Sequence, residues 1–111
     1  MLLKSQRLNL RTNFRWVASG KSLSSQNFKL FYRLGDNQNP LIGVSLVSAQ
    51  FKKANLRNKA KRIMFNQAKV LYSKLHKNLN LVIMPKTQVL SLPKEQLDQE
   101  FSNAISSLKI D

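Results

Sequence analysis

The stretch from Leu41 to Met84 constrains the architecture of this chain more than any other. "LIGVSLV" from Leu41 is a β-branched apolar run of strand length, following the turn formers Gly35 to Pro40. From Ala54 to His76 the apolar period becomes helical. Leu56, Ala60, Ile63, Met64, Gln67, Leu71 and Leu75 fall on one side, and Asn58, Arg62, Lys69 and Ser73 on the other. "LNLVIM", Leu79 to Met84, is a further buried strand closed by Pro85. A strand, a helix and a strand in succession most simply give a parallel pair with a crossover. The expected fold is therefore an α/β or α+β two-layer sandwich, one sheet backed by helices.

The flanks extend this plan. "TNFRWVASG" reads as one short helix that starts at Thr12 and stops at Gly20. "KSLSSQ" is either a polar linker or a brief edge strand. "NFKLFYRL" alternates, with Phe28, Leu30 and Tyr32 on one face and Lys29, Phe31 and Arg33 on the other. With the turn at Gly35 to Pro40 it is expected to form a hairpin with the strand from Leu41. Ser91, Pro93 and Glu95 open a last helix carrying Leu97, Phe101, Ile105 and Leu108 on one face. The order is helix, two or three strands, helix, strand, helix. With 42% hydrophobic residues in 111, the chain has material for one packed domain over residues 1–111.

Charge bounds the partners. Lys and Arg number 19 against five acids, a net charge of +14, and no carboxylate occurs between Asp36 and Glu95. "KKANLRNKAKR", Lys52 to Arg62, packs six cations into eleven residues without an acid. Such a run repels itself unless a polyanion answers it. Cations at a helix N-terminus also oppose the macrodipole, at about 0.3–1 kcal/mol each, so phosphates are the expected counter-charge. No segment approaches the ~20 apolar residues of a membrane span, and the expectation is a cytoplasmic protein with no membrane partner. A basic amphipathic stretch lying on anionic lipid is the competing reading. The absence of cysteine excludes disulfides, thiolate metal sites and a thiol nucleophile.

Side-chain catalysis on nucleic acids needs clustered carboxylates for metals, or a histidine with a partner. Neither is evident. Glu95, Asp98 and Glu100 read as solvated helix surface favoured by the N-terminal dipole, and His76 as the last turn of the long helix. The expectation is no catalytic residue, no metal site and no cofactor in the protein. What remains is a binding surface. Lys29, Phe31 and Arg33 interleave an aromatic with two cations, as where single-stranded bases stack beside neutralised phosphates; the alternative is a Phe31 covered by a helix. Trp16 and Val17 read as packing residues, with Trp16 beside Arg15 an alternative stacking platform. Phe65 falls on the polar side of the long helix near Arg62 and Lys69. If that helix packs along the Phe31 strand, both rings border one basic groove; otherwise another helix covers Phe65.

"IGVSLVSAQFKKANLRNKAKR", Ile42 to Arg62, resembles the signature of the protein subunit of bacterial ribonuclease P: an apolar strand, a basic loop, then Ala54, Arg57, Asn58, Lys59, Lys61 and Arg62 opening the long helix. "RLNLRTNFRWV", "NFKLFYRL" and "LNLVIMPK" resemble the family's first helix, cleft strand and last strand. Departures are Lys59 where the family has a second motif Arg, Ser48 and Ala49 in place of a basic pair, and Phe65 where many members carry a cation. The resemblance implies one RNA-binding domain of this type with a left-handed strand–helix–strand crossover. It implies a ribonucleoprotein that removes the 5′ leader of precursor tRNA, catalysis residing in an RNA subunit with bound Mg²⁺. It further implies that Arg57, Asn58, Lys59, Lys61 and Arg62, with Lys52 and Lys53, contact the RNA subunit, and that Phe14, Lys29, Phe31 and Arg33 line the leader cleft, to which the position of Phe65 adds a candidate. A small ribosomal or other structural RNA-binding protein is the alternative; an independent nuclease lacks a catalytic constellation.

Overall fold

The computed structural model describes residues 4–47 and 49–109, so Ser48 lies outside them. Its elements are α1 (Leu10–Ala18), β1 (Lys21–Ser24), β2 (Phe28–Leu34), β3 (Leu41–Val44), α2 (Ala54–Leu71), β4 (Leu79–Pro85) and α3 (Lys94–Ser106), with short 3₁₀ turns at Lys4–Gln6, Tyr72–Lys74 and Thr87–Leu90. "KSLSSQ" thus supplies an edge strand. α1 begins two residues before Thr12, because Asn9 is the N-cap and its side chain accepts the Arg11 amide at 3.1 Å.

The sheet order is β1-β2-β4-β3. β1 and β4 both run antiparallel to β2, whereas β3 pairs parallel with β4 through the α2 crossover. The expected hairpin between β2 and β3 does not form, since β4 lies between them. The residues from Gly35 to Pro40 wrap the start of β4 instead. The Gly35 amide donates to the Asn78 carbonyl at 2.9 Å, and the Asn37 side chain donates to the Leu79 carbonyl at 3.2 Å while accepting from Asn80 at 3.0 Å. Turn-forming composition specified a reversal of direction here but not which strand would be the neighbour.

Strand alternation divides the sheet into two packed faces. Phe28, Leu30 and Tyr32 of β2, Ile42 and Val44 of β3, and Leu79, Leu81 and Ile83 of β4 join Met64, Ala68 and Phe101 of α2 and α3 in the main core. On the opposite face Val82 packs with Leu8 and Val17, flanked by Leu10, Phe14, Phe31, Leu41 and Met84. Each large aliphatic group so buried contributes about 1.5–3 kcal/mol. Gly43 makes the second face possible: a Cβ there would stand 2.7 Å from Leu10 Cδ2, so α1 could not sit this close. No helix among the described residues is long and apolar enough to cross a membrane.

Candidate nucleic-acid interface

The basic run opens α2, as its composition suggests, but its side chains divide into four groups. Phe51, 1% exposed, pins the preceding loop in the core. Lys52 and Lys53 are exposed beside it, and Lys53, at the N-cap position, gives the helix no side-chain cap. Arg57 is half-buried and turns back, its guanidinium donating to the carbonyls of Phe51 at 2.8 Å and Lys52 at 3.3 Å. It therefore ties the loop to the helix. Asn58, Lys61 and Arg62 are exposed and share a groove of about 500 Å³ with Arg7, whose guanidinium lies 5.7 Å from the Phe65 ring centroid. Lys59, one position round the helix, lines a separate groove with Ile63 and Leu97. Helical spacing brings Asn58 and Arg62 together at i,i+4 and sends Lys59 elsewhere.

Phe65 corrects the expectation drawn from the helical wheel. At 9% exposure it belongs to the main core with Val44 and Met64. It sits on the α2 side of the sheet, while Phe31 sits on the α1 side. Phe65 lines the groove of Asn58, Lys61 and Arg62, whereas Phe31 packs against Phe14 on the other face. The long helix packs on β3 and β4, not along the Phe31 face of β2.

The second surface is formed by α1 and the sheet face below it. Phe14 and Phe31, both half-buried, meet edge to face with centroids 6.4 Å apart, and Lys29 Nζ lies 4.9 Å from the Phe31 centroid. Apolar rings with one cation over them suit base stacking beside a neutralised phosphate. Arg33 does not join them. Its guanidinium stacks 4.7 Å from the Trp16 ring centroid and donates at 3.1 Å to both the Trp16 carbonyl and Ser19 Oγ, where it also complements the C-terminal dipole of α1. Two cations missed by sequence reasoning belong to this surface: Arg11 and Arg15 line an open groove with Phe14 and Ser45. Their i,i+4 spacing beside Phe14 was the available signal.

The acids are less solvated than expected. Glu95 is exposed in the first turn of α3, but Asp98 accepts Gln67 of α2 at 2.6 Å and Lys94 at 2.8 Å. These two hydrogen bonds hold the Asp98 carboxyl below the usual aspartate range. Glu100 accepts from Ser25 and from the backbone and side chain of Asn27. His76 lies beyond the helix, where its Nδ1 accepts the Asn78 amide at 3.1 Å. No three acids or histidines among the described residues are grouped to hold a metal ion.

The family model for ribonuclease P matches residues 2–109. No curated protein matches by sequence. Among solved structures, the ribonuclease P protein of Thermotoga maritima is similar with a TM-score of 0.83 at 22% identity, over 94% of this chain and 98% of that one. The same protein in complex with 1-(4-fluorophenyl)-2-thiourea gives 0.82 at 22% identity, over 93% and 100%. The ribonuclease P protein of Staphylococcus aureus gives 0.76 at 19% identity, over 93% and 94%.

Proposed function

Because this chain belongs to the ribonuclease P protein family, we propose that it is the RNA-binding component of a ribonucleoprotein that removes the 5′ leader of precursor tRNA. Two surfaces on different faces of the sheet divide the work. The exposed cations at the start of α2, with Asn58, Lys61 and Arg62 at their centre, hold the RNA subunit through its phosphates. The cleft of Phe14, Phe31 and Lys29, flanked by Arg11 and Arg15, holds the single-stranded leader by stacking and phosphate contact. Arg33 and Arg57 act through the protein itself: one fixes Trp16, the other fixes the loop before α2.

The donor set of this chain does not suit Mg²⁺, which prefers oxygen ligands from one or two carboxylates plus phosphates and water. Asp98 and Glu100 are already hydrogen-bonded to Gln67, Lys94, Ser25 and Asn27. In this reading the metal and the cleavage chemistry belong to the RNA, and the protein lowers the Mg²⁺ requirement by adding positive charge and holding the leader. The observation that carries the reading is the pairing of a basic groove at the start of α2, lined by Asn58, Lys61 and Arg62 with Arg7, with an aromatic cleft of Phe14 and Phe31 in one small domain. It is tested by adding the purified protein to a ribonuclease P RNA and following precursor cleavage as Mg²⁺ is lowered. Cleavage by the protein alone, or no gain at low Mg²⁺, would overturn it.

A further inference from the structure

We propose that a pocket between Trp16 and Asp36, on the flank of α1 away from Phe14, takes an unpaired guanine base of RNA, stacked on the indole and held along its Watson–Crick edge by the carboxylate. The pocket is open, about 350 Å³, and lined by Asn13, Trp16, Gly35, Asp36, Asn37, Leu41 and Asn80. That is at the lower end of the range of about 300–1,000 Å³ for small-ligand sites.

Its walls are prepared before any ligand arrives. Arg33 covers one face of the indole and fixes the backbone carbonyl beneath it, yet Trp16 stays 39% exposed. A Cβ at Gly35 would stand 3.0 Å from Trp16 Cη2 and 2.9 Å from Asn80 Nδ2, so glycine lets the turn close against the outer edge of the ring. Asn37 and Asn80 are bonded to each other and to the strand backbone, which makes the floor rigid. An exposed indole held on two sides is a stacking platform with little entropy left to lose.

Asp36 selects the ligand. It is exposed and makes no ion pair or hydrogen bond among the described residues, in a chain of net charge +14. A phosphate is repelled from that carboxylate, so a nucleotide enters base first. An ionised carboxylate only accepts hydrogen bonds. Guanine offers two adjacent donors, N1–H and N2–H, which match its two oxygens. Adenine and cytosine place one amino donor beside an acceptor nitrogen, and uracil flanks its single N–H with two carbonyls.

The proposal rests on the reading of this chain as RNA-binding, but not on its part in cleavage. Trp16 is the only tryptophan, so its emission reports on the pocket directly. The full-length protein is titrated, at salt high enough to suppress phosphate contacts, with short uridine oligomers carrying one central guanosine, adenosine or cytidine, and with the all-uridine oligomer. The guanosine oligomer is expected to quench the emission and to bind about tenfold more tightly than the others. Asp36→Asn, at an exposed position, is expected to leave the fold unchanged and to erase that preference. Equal binding of all four oligomers, or a guanosine preference that survives Asp36→Asn, overturns the proposal. In the reconstituted holoenzyme, quenching on assembly assigns the base to the RNA subunit, and quenching on adding leader-bearing precursor assigns it to the substrate. Quenching at neither step overturns the proposal. Precursor cleavage read in the same samples keeps failure of the pocket distinct from failure of the ribonuclease P role.

Discussion

Glu100 of α3 closes the β1–β2 turn by accepting both the backbone amide of Asn27 at 2.9 Å and its side-chain amide at 2.7 Å. Asn27 is itself buried, so its polar groups need these partners. A single carboxylate thus fastens the last helix to the first hairpin. Burial pushes the Glu100 carboxyl up, but the bonds from Ser25, from the side chain and backbone of Asn27 and from the Gln26 amide together outweigh it and leave the group below the usual glutamate range.

That depressed value gives stability a dependence on acid. The contribution is full at neutral pH and is lost as pH falls from the ordinary glutamate value through the lower folded one, because the unfolded chain takes up the proton first. Glu100→Gln is expected to lower unfolding free energy at neutral pH by about 1.5–3 kcal/mol, the worth of hydrogen bonds to a charged group. Once the pH is below the lowered folded value, the parent and the variant should converge. Urea denaturation at the two pH values checks this, and a constant difference between them would show that Glu100 is not the group titrating.

Arg57 and Arg62 should separate stability from RNA binding. Arg57→Ala removes donors from the Phe51 and Lys52 carbonyls, and a shift in the denaturation midpoint is expected along with weaker assembly. Arg62→Ala, at an exposed position, should weaken binding to the RNA subunit and make its salt dependence shallower by about one phosphate contact, with the midpoint unmoved. Salt-titrated binding beside urea melts distinguishes them. Identical behaviour of the two variants would refute the division.

For the cleft, Phe31→Ala is expected to reduce holoenzyme affinity for leader-bearing precursor by about 1–3 kcal/mol while affinity for mature tRNA holds. The salt slope should barely change, because stacking is not a phosphate contact. Equal losses for both RNAs would place Phe31 outside the leader site.

Phe65→Ala should behave as a core deletion. With 9% exposure and packing in the main cluster, its removal is expected to cost about 3–5 kcal/mol of folding stability. No selective loss of precursor affinity should accompany it. A variant that melts like the parent yet discriminates against the leader would reverse the assignment.

Periodicity made the elements legible: β2, α2, β4 and α3 follow from alternation or from the helical repeat, and a strand, helix and strand in succession implied the parallel pairing of β3 with β4. Pairing of β2 was not legible. Its neighbour depends on the Asn37 and Asn78 bonds at the start of β4, which no local pattern announces. The basic face of α2 followed from composition, but the direction of each cation did not. Arg57 and Arg33 are long enough to reach carbonyls that become neighbours only in the folded chain. Phe65 sits at the margin of the apolar arc, where one position on the helical wheel decides between solvent and core, and packing in the main core resolved it.

The position of β4 has a consequence for how the chain acquires its shape. β2 and β3 share no hydrogen bonds; each pairs with β4, which is formed by residues 79–85 and follows both in the sequence. Until that segment arrives, neither the sheet nor either of its packed faces can close, and Leu30, Ile42 and Val44 have no strand to complete their setting. During synthesis the emerging chain therefore carries β2 paired on one edge only, with β1, and β3 with no partner strand. Non-local closure of this kind slows folding and leaves strand edges open to other chains.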